Sequence, residues 1–102
     1  MALSPGKALL VALKNMAESR GKGIAGIAKA GGQKRVKINV RALYKYHDEE
    51  TGYRLVEDIL NSIDEKELEF LESLGIKLVK DRWGIYIEVP VEILENPDSI
   101  NV

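Results

Sequence analysis

The sequence predicts an α+β fold of three to four helices, a short strand and a C-terminal β-hairpin, and three observations carry that prediction. Leu9, Leu10, Leu13, Met16 and Ala17 recur along one helical stripe, and Leu55, Val56, Ile59, Leu60 and Ile63 repeat it. Val36, Ile38 and Val40 alternate with Lys37, Asn39 and Arg41, which is the period-two pattern of a half-buried strand. Between residues 64 and 89 a capped helix, a glycine and two alternating apolar segments follow one another.

Taken in order, Ser4-Pro5 supplies an N-cap and a first-turn proline for the first helix, and Gly21 is expected to end it. Residues 20–35 form a basic, glycine-rich segment holding five of the nine glycines, with a short helix as its only regular part, around Ile24 to Ala30. After the strand a further helix is expected from about Val40 to Glu49. Thr51-Gly52 breaks the chain before the second amphipathic stripe. Asp64 caps the next helix, with Glu67 at its third position and Ile63 and Leu68 placed as a hydrophobic staple. Leu68, Leu71 and Leu74 mark its buried face, and Gly75 stands where a left-handed C-cap is wanted. Ile76 to Leu78 and Ile85 to Val89 flank Asp81-Arg82-Trp83-Gly84 as a hairpin with a four-residue loop. Pro90 ends the hairpin. The expected organisation is one domain over 1–90, with a loosely ordered tail over 91–102.

Charge is sorted along the chain. Residues 1–46 hold seven Lys and three Arg against Glu18 alone, a net of +9, whereas residues 47–102 hold five bases against fifteen acids, a net of −10. Such an asymmetry speaks to partners: the basic half attracts polyanions, and the acidic half pairs with basic surfaces. The chain has no cysteine, so thiolate catalysis, cysteine-ligated zinc and disulfides are excluded together. No apolar run approaches the length of a membrane span, so a cytoplasmic location without a membrane partner is expected. Abundant Ile, Lys and Glu with a single Gln lean toward a thermophile.

The order helix, strand, helix, turn, helix, hairpin, with FLESLGIKLVKDRWGIYIEVP at its end, resembles the winged helix-turn-helix superfamily over roughly Ser4 to Val89. That resemblance implies a DNA-binding fold in which the helix before the wing enters the major groove. Here that helix carries Asp64, Glu65, Glu67, Glu69 and Glu72 against Lys66, and carboxylates beside phosphates are repelled. Contact with DNA or RNA is therefore expected through the other half: Lys22, Lys29, Lys34, Arg35, Lys37, Arg41 and Lys45, with Arg82 and Trp83 at the wing as a second contact. Tyr44 and Tyr46 add aromatic surface among these cations. The competing reading is a solvated segment whose charge is answered by the acidic half, or an assembly module whose acidic helix 64–74 docks on a basic surface such as another copy, forming a homo-oligomer.

Gly21, Gly23 and Gly26 spell G-x-G-x-x-G, but a helix precedes them and Arg41 stands where a dinucleotide site needs an acid, so no cofactor is expected. Gly23 to Gly26 also matches the GxxG loop of KH domains without its flanking strands. Ala28, Gly32 and Ile38 fit a helix-turn-helix skeleton that competes with the strand reading of Val36 to Val40. His47 is the single histidine, and nothing in the sequence converges on it as a catalytic or metal site. No enzyme activity is expected, for want of a nucleophile and base.

Overall fold

A computed structural model describes residues 2–101. The fold is α+β: α1 (Pro5–Ala30), β1 (Arg35–Asn39), a 3-10 helix (Val40–Tyr46), a 3-10 turn (Glu49–Thr51), α2 (Val56–Ser62), α3 (Glu65–Ser73), β2 (Lys77–Asp81), β3 (Gly84–Pro90), α4 (Val91–Glu95) and a last 3-10 turn (Pro97–Ser99). The three strands form one antiparallel sheet in the order β1-β3-β2, with the hairpin supplying β2 and β3. This arrangement is compatible with a winged-helix-like fold.

The long helix α1 organises everything else. Ser4 caps it by accepting from the Lys7 amide, and Pro5 starts it. Leu9, Leu10, Leu13 and Met16 are then fully buried, at about 1.5–3 kcal/mol for each such side chain, and α1 packs against α4, the 3-10 helix, α2 and α3. Instead of stopping at Gly21, the helix continues nine residues further and ends where Gly32 takes a left-handed φ of 75°. Two facts explain the difference. Gly21, Ile24, Ala25 and Ala28 prolong the inward stripe, so burial continues past the glycine. A mid-helix glycine costs only about 1 kcal/mol relative to alanine, which that packing offsets.

The chain beyond Pro90 is likewise not a loose tail. Val91 donates its amide to the Lys34 carbonyl at 3.0 Å, α4 lies along the second half of α1, and Val91, Leu94 and Ile100 are buried. The expected helix over 40–49 is a 3-10 helix ending at Tyr46. Of the three leucines assigned to the buried face of α3, only Leu71 is enclosed, whereas Leu68 and Leu74 stay 37% and 42% exposed. Gly75, at φ 82°, closes α3 in the left-handed conformation expected of it. In the hairpin Asp81 and Gly84 still pair, so the connection shortens to Arg82-Trp83. Val36 to Asn39 is a strand, the alternative that alternation favoured over the helix-turn-helix skeleton.

Candidate nucleic-acid interface

The end of β1 and the tip of the hairpin make one corner. Asn39 leaves the sheet and caps the 3-10 helix by accepting from the Arg41 amide at 2.9 Å. A 3-10 helix repeats every three residues. Val40 and Leu43 therefore point into the core together, while Arg41 and Tyr44 form one outward row and Ala42 and Lys45 the next.

This ridge is held down at its far end. Asn15 of α1 donates its side-chain amide to the Tyr46 carbonyl at 3.1 Å, and the Lys45 ammonium lies 5.3 Å from the centre of the Tyr46 ring. The Ser19 hydroxyl draws the Tyr46 phenol below its ordinary range, and the positive charges of Lys45 and Arg20 add to that effect. On the other row the Glu57 carboxylate accepts from Tyr44 and raises its phenol. Arg20 thus joins the ridge from α1. Its place is legible only once the apolar stripe is followed through Gly21.

At the hairpin tip Asp81 accepts from the Trp83 and Gly84 amides at 2.8 and 3.2 Å, which folds the turn around a carboxylate. Those amides, the Trp83 one foremost, with the Lys37 ammonium beside them, hold the Asp81 carboxyl below its usual range. The indole of Trp83 is left 75% exposed with the Arg82 guanidinium 5.6 Å from its ring centre. Gly84 faces the side-chain amide of Asn39, so the tip and the start of the ridge are neighbours. Lys37 borders the same corner. It lies 4.4 Å from the centre of the Tyr86 ring and 3.4 Å from an Asp81 oxygen.

The nine residues named from the sequence therefore separate. Lys37, Arg41, Arg82 and Trp83 share the corner, and Lys45 continues along the ridge. Lys22, Lys29 and Lys34 lie toward the other end of the sheet, beside α4 or at the end of α1 that precedes β1. Three of the cations are answered from within the fold: Lys29 by Glu95 at 2.9 Å, Arg35 by Glu88 at 2.7 Å and Lys37 by Asp81. The Arg35 guanidinium also donates to the Gly75 and Glu88 carbonyls at 2.7 and 3.3 Å. It ties β1 to β3 and to the turn behind α3.

The glycine-rich segment is not a phosphate cradle. Gly21, Gly23 and Gly26 are interior residues of α1, whose amides are engaged in the helix, so neither a dinucleotide loop nor a GxxG clamp exists there. His47 is used internally, its Nε2 lying 2.6 Å from the Tyr53 carbonyl, and among the described residues no three acidic or imidazole side chains converge as a metal site. Among the described residues no helix is long and apolar enough to cross a membrane. No protein-family model, no curated protein and no solved structure matches this chain.

Proposed function

We propose that this chain is a winged-helix-like nucleic-acid-binding protein that docks through the wing tip and the 3-10 ridge rather than through the helix before the wing. The observation that carries this reading is the corner itself. An exposed indole with an arginine beside it stands next to a ridge on which Arg41 and Lys45 make no ion pair among the described residues and Tyr44 is 44% exposed. Cations that follow a backbone and an aromatic face on which a base stacks are what a sequence-tolerant binder of phosphodiester chains combines. The helix α3, with Glu65, Glu67, Glu69 and Glu72 against Lys66, repels phosphate and is kept off the contact.

Fluorescence anisotropy of labelled single-stranded DNA, duplex DNA and RNA, from about 50 to 200 mM salt, tests the reading. Binding that weakens linearly in log salt, with quenching of Trp83, is expected. Arg41→Ala and Lys45→Ala should each reduce the salt slope by about one. Trp83→Ala should cost about 1–3 kcal/mol with a single-stranded ligand. Lys22→Ala and Lys34→Ala, at the other end of the sheet, should change affinity less than twofold. Binding indifferent to salt, or lost equally in all five variants, would overturn the assignment.

A further inference from the structure

The ridge ends against α1 in a cluster of two cations and two hydroxyls. Asn15 and Ser19 lie one turn apart on one face of α1. Asn15 holds the Tyr46 carbonyl at 3.1 Å, and Ser19 meets the phenol of the same residue. The half-buried Tyr46 ring packs against the core, so it is a fixed support rather than a free surface side chain. Ser19 and Arg20 donate toward its oxygen, which leaves the phenol O–H to donate outward. The Lys45 ammonium lies 5.3 Å from the ring centre. The charges that act on the phenol are those of Lys45 and Arg20, both positive. Neither makes an ion pair among the described residues. Glu18, the one acid of α1, is two residues from Arg20 and so lies on the opposite side of the helix.

We propose that Ser19, Arg20, Lys45 and Tyr46 form a site for a phosphate monoester, the phosphorylated end of a nucleic-acid strand that follows the ridge. Charge and donors match such a group. Two cations answer its near-dianionic charge at neutral pH, and a guanidinium, an ammonium and two hydroxyls serve its oxygens. An internal phosphodiester brings a single charge to the same place. The position also suits a strand end. Beyond Tyr46 the chain turns through His47 into Asp48, Glu49 and Glu50, whose carboxylates repel the phosphates of a strand that would run on. The strand-end part of the proposal rests on the nucleic-acid reading above, whereas binding of the phosphate group itself does not.

Two measurements on the full chain test it. NMR of the Tyr46 ring and Lys45 signals during titration with inorganic phosphate, against chloride at equal ionic strength, reads the site alone. Anisotropy of one labelled single-stranded oligonucleotide carrying a 5′-phosphate, a 3′-phosphate or hydroxyls at both ends reads the strand end. Phosphate should move both residues' signals saturably, and chloride should not. One of the phosphorylated ends should bind about tenfold tighter than the hydroxyl-ended strand, and which one gives the polarity of the bound strand. Arg20→Ala, at an exposed position, should cut that preference to about twofold or less and abolish the phosphate shifts. Arg41→Ala should weaken all three oligonucleotides alike. Absence of a saturable phosphate shift at Tyr46, equal affinity for the three oligonucleotides, or a preference that persists in Arg20→Ala would each overturn the proposal. Should phosphate move Tyr46 while no oligonucleotide binds, the nucleic-acid reading and the strand end fall together and the phosphate site stands.

Discussion

Gly21 lies against the backbone of Leu94: a Cβ built on Gly21 would stand 2.1 Å from the Leu94 carbonyl oxygen and 3.0 Å from its carbonyl carbon. The atoms met are backbone, so α4 would have to lift from α1 to make room. The close approach of these two helices is thus set by one missing methyl group.

Alanine substitution along α1 should consequently change sign with position. Gly21→Ala gains about 1 kcal/mol of helix propensity but forces the packed backbones apart, and a net loss of about 1–3 kcal/mol is expected. Gly23→Ala and Gly26→Ala, where a Cβ meets nothing within 4 Å, should instead stabilise by about 0.5–1 kcal/mol. Urea unfolding of the three variants checks this. A stabilised Gly21→Ala chain would refute the packing role.

Arg35 should behave as a structural residue. Its guanidinium serves the Glu88 carboxylate and two carbonyls, so Arg35→Ala should lower stability by about 1–2 kcal/mol. Arg35→Lys should recover little, because an ammonium cannot reproduce the fork. Under conditions where both remain folded, affinity for nucleic acid should change less than twofold. A large loss of affinity in a fully folded Arg35→Lys chain would place this residue on the binding surface instead.

The wing turn should respond to acid. Asp81 has its folded pKa depressed below the ordinary 3.8, first by the Trp83 amide and then by Lys37. The stabilisation it gives the turn is therefore fully present above about pH 3.8 and is lost as pH falls through the lower folded value. Carboxyl and amide NMR titration should show the Trp83 N–H moving with Asp81 below pH 3.8. Lys37→Met should raise the Asp81 midpoint only partway, since the amide bond remains. A Trp83 amide that does not titrate with Asp81 would contradict the turn described.

The sequence by itself determined the parts whose signals are local. The α+β class, the Ser4 and Asp64 caps, Gly75 at the end of α3 and the hairpin around Asp81 each depend on residues within a few positions of one another. Tertiary structure decided what the glycines and cations contact. Gly21 resembles a helix stop until α4, more than seventy residues later, is laid across it, and residues past Pro90 resemble a tail until Leu94 is seen to supply that contact. Arg35 and Lys37 look alike in a basic run, yet one is fixed by Glu88 and two carbonyls while the other borders the wing beside Tyr86. The reason is physical: caps and turns are satisfied by neighbours in sequence, whereas the fate of a charge or a missing side chain depends on what the fold brings to within a few ångströms of it.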